Sequence, residues 1–226
     1  MKKGVAFFLI ALRGSIIRLA DQLYTLKWYW NCPLFLKCDL ALFWRYLLLS
    51  PHKLCKSKWR GEYSQKPYGE TPIKTLADIA ALALIEKSDT VLELGCGRGR
   101  TCFWLARCIG CSVIGIDAVP DFIKRGNELA ENCKVPAIEF HCSDFFEAPF
   151  ERASVIYLYG TGQEDSVWID LAIWLANLPK RPMIITVSAH LGEFSPHYSL
   201  IGQFEAEFGW GKTDVFFQRP KDKGVI

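Results

Sequence analysis

Glu93-Leu-Gly-Cys-Gly-Arg-Gly99 places a carboxylate two residues ahead of glycines at every second position. This combination is suited to holding a ligand. Glycine lets the backbone turn sharply and come within contact distance of a bound molecule, and an acid beside it accepts hydrogen bonds from polar groups. A second carboxylate, Asp117, ends the apolar run Ser112-Val-Ile-Gly-Ile, 18 residues beyond Gly99. An acid at such a strand end suits the paired hydroxyls of a ribose. Arg100 stands where a nicotinamide-dinucleotide fingerprint needs glycine, so that cofactor is disfavoured.

These residues need rigid elements behind them. Thr90–Leu94 reads as a strand feeding the glycine loop, and Phe103, Trp104, Leu105 and Ala106 give the following helix an apolar face. Ser112–Asp117 reads as a second strand, Pro120–Glu131 as a helix and Ile138–Asp144 as a third strand. Ser154–Tyr159 and Met183–Val187 read as strands four and five. Phe204–Phe208 and Lys212–Gln218, separated by Gly209-Trp-Gly211, look like an antiparallel pair. Upstream, Lys66-Pro-Tyr-Gly-Glu-Thr-Pro72 makes an ordered turn, with Thr71 suited to cap a helix over Ile73–Glu86 and Pro72 in its first turn.

The E-x-G-x-G-x-G spacing, with Asp117 and Asp144 in order behind it, resembles the class I S-adenosylmethionine-dependent methyltransferases. That resemblance covers roughly 90–187. It implies an α/β fold: a Rossmann-like seven-stranded sheet, mostly parallel with a C-terminal antiparallel hairpin, plus a helical N-terminal extension. It also implies S-adenosylmethionine as cofactor, held by Glu93, Gly95, Cys96, Gly97, Gly99, Asp117, Ala118, Ser143 and Asp144. In the family the third-strand acid meets the adenine amino group. A looser likeness, carried by the turn at Tyr68–Thr71 and an apolar N-terminus, is to small lysine methyltransferases acting on the ATP synthase c-subunit and to DOT1-type histone lysine enzymes. By that analogy Tyr68, Glu70 and Thr71 close over the methionine end of the cofactor.

The net charge of +3 hides an asymmetry. Residues 1–60 hold 11 Lys/Arg and two Asp/Glu, while 61–226 hold 16 and 22. We therefore expect a basic, aromatic-rich helical segment over 1–60 and a mildly acidic methyltransferase domain over 61–226, with the boundary at Ser57–Ser64. An acidic domain makes nucleic acid an unexpected partner. The apolar stretch Leu34–Leu49 contains Lys37, Asp39 and Arg45, which is short and charged for a span of roughly 20 residues. Its aromatic rings and the following Lys53, Lys56, Lys58 and Arg60 suit a membrane surface instead, with the catalytic domain in the cytoplasm. The alternatives are a helical cap packed on the domain and a cleaved leader, since Gly4–Leu12 is apolar behind Lys2 and Lys3. Nine cysteines without a secretory framework read as reduced thiols, and the Cys108/Cys111 pair as buried small side chains with no metal.

Methyl transfer depends on alignment of the acceptor and exclusion of water, so the lack of a His–Asp pair does not argue against activity. After strand four come Tyr159-Gly-Thr-Gly-Gln-Glu-Asp165, without the N/D-P-P-aromatic signature of exocyclic-amine and glutamine enzymes. Tyr159 and Thr161 are the candidate catalytic residues on the acceptor side. The expected acceptor is a protein amine, with lysine preferred. The alternatives are a lipid or small hydrophobic metabolite, or a catalytically silent cofactor-binding scaffold.

Overall fold

The computed structural model describes residues 2–58, 68–160 and 162–222; side chains are described from Gly14, and not for 56–58. Strands β1 (Thr90–Leu94), β2 (Ser112–Asp117), β3 (Ile138–Cys142), β4 (Val155–Leu158) and β5 (Met183–Val187) run parallel. The hairpin β6 (Tyr198–Phe208) and β7 (Gly211–Pro220) joins antiparallel, giving one seven-stranded sheet ordered β3-β2-β1-β4-β5-β7-β6. The order in which strands are added reverses between β1 and β4, so the loops after these parallel strands flank a crevice at their C-terminal ends. Ligands bind in such crevices in open α/β sheets.

Strand residues alternate between two cores. Leu92, Leu94, Ile114, Ile116, Ile156 and Leu158 face one side, under α7 (Asp165–Ala176). Val91, Val113, Tyr157 and Ile185 face the other, where α4 (Ile73–Leu82), α5 (Arg100–Trp104) and α6 (Pro120–Asn132) pack. The five parallel strands are apolar on both faces because helices cover both. The motif helix is shorter than its apolar run implies: α5 gives way to a π-turn over Leu105–Ile109 that closes on Gly110.

Three further helices precede the sheet: α1 (Lys2–Asn31), α2 (Pro33–Tyr46) and α3 (Pro51–Lys58). One face of α1 and α2 joins the second core. Phe35, Cys38 and Leu42 are fully buried there, and Trp28 sets its ring edge-on to Trp104 at 4.9 Å. Among the described residues no helix is long and apolar enough to cross a membrane. The boundary at Ser57–Ser64, and Arg60 with it, lies almost wholly outside the described residues.

Candidate cofactor cleft

The glycine loop leaves β1 with three left-handed residues: φ is +77° at Gly95, +53° at Gly97 and +80° at Gly99. Gly95 and Cys96 both donate their N–H groups to the carbonyl of Ile116, which ties the loop to β2. Asp117 ends β2 and accepts from Gly97 N at 2.8 Å and from Val119 N at 2.9 Å, one bond to each carboxylate oxygen. Each oxygen keeps lone-pair capacity for a ribose hydroxyl. Burial raises the Asp117 pKa, and the backbone donors at Val119, Gly97 and Ala118 oppose that rise.

Glu93 lies beneath the loop, 5% exposed, and its Oε2 accepts from Cys102 Sγ at 2.9 Å. Burial pushes its pKa up to about 8, against the hydrogen bonds from Cys102 and Thr101. Cys96 turns its thiol inward, so only its backbone faces the crevice: a Cβ on Gly115 would lie 2.9 Å from that sulfur. Ala118 is half-buried beside Asp117. Ser143 Oγ is buried with no hydrogen-bond partner, at the end of β3. Asp144, exposed, accepts from Phe146 N at 3.1 Å and so caps a 3₁₀ turn through one oxygen.

A short strap, Tyr68–Thr71, crosses the loop. A Cβ on Gly97 would come within 2.9 Å of the Tyr68 ring, and one on Gly69 within 2.7 Å of the Tyr159 ring. Tyr68 donates to Glu70 at 2.5 Å, and Arg98 grips both Glu70 oxygens through one guanidinium edge, Nε to Oε1 and Nη2 to Oε2 at 2.8 Å. Burial would raise the Glu70 pKa, but the Arg98 hydrogen bonds and charge take it below the ordinary carboxylate value. Thr71 does not cap α4. Pro72 takes the N-cap position, and the Thr71 hydroxyl instead meets Tyr157 Oη at 2.5 Å within the core. Its contribution is thus to fix the strap's end on β4.

On the acceptor side Tyr159 receives a hydrogen bond from Trp210 Nε1 at 2.6 Å and packs against Phe208 with ring centres 5.5 Å apart. Thr161 lies outside the described residues. Trp210, in the turn of the β6–β7 hairpin, was not singled out by sequence; its position between two glycines was the only signal. In the structure the His190 ring stacks on Phe216 at 5.4 Å, on the hairpin. Among the described residues no group of three or more His, Cys, Asp or Glu is placed to hold a metal ion.

The residues present fit S-adenosylmethionine on three observations. Gly97 offers bare backbone beneath an aromatic lid, Asp117 is a half-buried carboxylate at the strand end, and Ser143 is an orphaned hydroxyl beside the adenine-side acid. Asp117 would hold the ribose, Ser143 and Asp144 the base, and the glycine loop with Tyr68 the methionine end.

Comparison with known proteins agrees. Residues 91–169 match a methyltransferase-domain family. A histone-lysine N-methyltransferase, H3 lysine-79 specific, from Dictyostelium discoideum is 34% identical over 113 residues, covering 44% of this chain; the chain spans only 6% of that protein's length. An RNA methyltransferase from Salinibacter ruber, solved with S-adenosylhomocysteine, superposes with TM-score 0.58 at 24% identity over 70% of this chain and 97% of its own. A B. subtilis tRNA methyltransferase does so with TM-score 0.56 at 15% identity over 66% of each chain. Strand order, glycine loop and family match converge: the chain carries a methyltransferase domain of the class I, S-adenosylmethionine-dependent kind, with S-adenosylmethionine as its cofactor.

Proposed function

We propose that this methyltransferase acts at a membrane surface on a protein amine, with lysine the preferred acceptor and the catalytic domain on the cytoplasmic side. The observation that carries the acceptor reading is the aromatic mouth of the cleft. The exposed Trp210 donates to Tyr159 Oη at 2.6 Å, the buried Phe208 backs both rings, and Gly69 of the strap lies against the Tyr159 ring. Aromatic faces attract an alkylammonium group and tolerate its methylated products, at about 0.5–2 kcal/mol per contact. The sequence likeness to a lysine methyltransferase supports the same reading.

When bound, the cofactor supplies a methyl group on a positively charged sulfur. The chain's task is to align a neutral amine with it and keep water out. The acceptor amine would have to shed one proton to solvent so that its lone pair could face that methyl group. The ordinary lysine pKa near 10.4 leaves little free amine at neutral pH, so partial desolvation between Tyr68 and Tyr159 would raise the reactive fraction. Arg98 is committed to Glu70 and places no free charge against the incoming cation.

Incubating the full-length protein with a membrane extract and methyl-labelled cofactor tests the reading. Label recovered as methyl-lysine after acid hydrolysis of protein is expected. Label in RNA, in lipid, or in nothing overturns it.

A further inference from the structure

The α1–α2 pair has two faces of opposite character. Inward lie Ile17, Phe35, Cys38 and Leu42, packed on the domain. Outward stand Leu23 at 61% exposure, Trp30 at 88%, Trp44 at 68% and Leu48 at 95%, with further leucines between them. Scattered exposed apolar residues are ordinary, but a contiguous run over two consecutive helices is not.

The charges divide in the same way. Asp21 and Asp39 are the only acids in residues 1–60, and both turn inward onto Arg100. Arg18, Lys27, Lys37 and Lys53 are exposed. The outer surface is therefore apolar and cationic, and among the described residues of these helices no carboxylate faces out. That pattern disfavours a second copy, because the isologous contact of a two-fold dimer would set these cations against one another with no acid to pair them. It is complementary to a surface whose interior is apolar and whose rim is anionic.

We infer that the outer face of α1 and α2, with the Leu47–Leu49 corner, lies flat on an anionic lipid bilayer. This deepens the membrane-surface part of the proposed function by naming the docking face and the orientation that follows from it. Trp30, Trp44 and Leu48 enter the acyl boundary while Arg18, Lys27, Lys37 and Lys53 meet headgroup phosphates. The corner leads directly into α3, where His52 sets its ring edge-on to Tyr68 at 5.4 Å. Docking therefore brings the strap over the cofactor cleft to the edge of the lipid surface, where a membrane-borne acceptor is within reach.

The test uses full-length protein and sedimentation with phosphatidylcholine vesicles, with or without phosphatidylglycerol. Strong pelleting on the anionic vesicles, and weak pelleting on the neutral ones, is expected. Trp30→Ser, Trp44→Ser and Leu48→Ser should each weaken it by about tenfold. Changing Arg18, Lys27, Lys37 and Lys53 to glutamine should cost about fivefold each, the equivalent of about 1 kcal/mol per charge. Lys180→Gln, exposed after α7, should leave it unchanged. All of these side chains are exposed, so folding is not at stake, and circular dichroism checks it. Equal pelleting on neutral vesicles, or unchanged pelleting of the serine variants, overturns the inference. Wild-type self-association that the serine variants abolish, without vesicle binding, overturns it in favour of a second copy. Vesicle binding is read without any acceptor, so label entering RNA would refute the protein-amine reading and leave docking intact.

Discussion

Two segments are clamped to the glycine loop by the same kind of bond, and they differ in everything else. Arg98 grips Glu70 of the strap, and Arg100, two residues on, grips Asp39 of α2 and reaches Asp21 of α1. The strap adds less apolar burial: Gly69 is exposed, Tyr68 and Glu70 are half-buried with the Tyr68 ring against Phe122, and only Thr71 enters the core. The helical cap adds Trp28, Phe35, Cys38 and Leu42 to the core, and Tyr29 donates a second hydrogen bond to Asp39 at 2.6 Å. An arginine–carboxylate fork thus says little about role until the packing around it is known. Where it stands with little packing over the loop it is expected to govern the ligand; where a core surrounds it, to govern the fold.

The largest expected effect comes from Gly97→Val. The new side chain must displace the Tyr68 ring and adopt a left-handed backbone costing about 1–2 kcal/mol. Calorimetry should detect no S-adenosylmethionine binding, while the melting temperature falls only modestly. Retained affinity would place the ligand elsewhere. Asp39→Ala should do the opposite. It strips the main partner from a buried arginine, a change worth about 3–5 kcal/mol of unfolding free energy. Below melting, the variant should still bind the cofactor. Loss of binding in a fully folded Asp39→Ala protein would mean that the cap acts on the ligand site and the contrast fails.

Glu70→Gln sharpens the strap's side. It removes the charge that Arg98 grips, and a charge-assisted hydrogen bond is worth about 1.5–3 kcal/mol. Cofactor affinity should fall about tenfold or more with little change in melting temperature. Glu93 bears on both segments because it lies under the loop that they share. Its pKa is raised from the ordinary 4.5 to about 8 by burial, so the folded protein holds a proton that the unfolded chain releases. The sign follows: this contribution is full below pH 4.5 and lost as pH rises through about 8. Denaturant unfolding across that range should show stability falling with pH, and Glu93→Gln should remove that part of the slope. An unchanged slope would mean that Glu93 is ionised in the fold.

The sheet and the loop were legible in the sequence for a definite reason. Five short apolar runs with glycine or acid at their ends have few ways to pack, and Met183–Val187 falls on β5 residue for residue. Edges were less sharp: β6 starts at Tyr198, six residues before its apolar pattern, because the exposed Ser199–Ile201 stretch is held by pairing with β7 and not by burial. The cap's role was harder to read. An apolar face packed on a domain and one facing outward have the same composition, and only the helix rotation separates them. One signal was present: two acids in a segment of eleven cations, both of which find the arginine beside the glycine loop. Cys96 and Thr71 were read as cofactor contacts from their place in the motif, yet the thiol and the hydroxyl both point into the core. Motif position fixes the backbone more firmly than the side chain's direction.

The smallest effect should come from the acceptor side. Tyr159→Phe keeps the ring that packs on Gly69 and Phe208 and loses only the oxygen that accepts from Trp210 Nε1. Trp210 is 47% exposed, so water can take its N–H, and stability and cofactor affinity should stay close to wild type. If the Tyr159 hydroxyl also orients an incoming amine, its loss should lower turnover on a lysine acceptor about tenfold, the equivalent of one hydrogen bond of about 1.4 kcal/mol in the transition state. The pH profile separates its two possible tasks. Wild-type activity should climb between about pH 7 and 9 as more of the amine loses its proton. A tyrosine that only positions the amine leaves that climb intact in the variant and lowers its height. One that takes the proton changes the shape. Unchanged turnover at every pH would reduce Tyr159 to a wall of the strap's socket, and the aromatic mouth would then have to hold its amine without this hydroxyl.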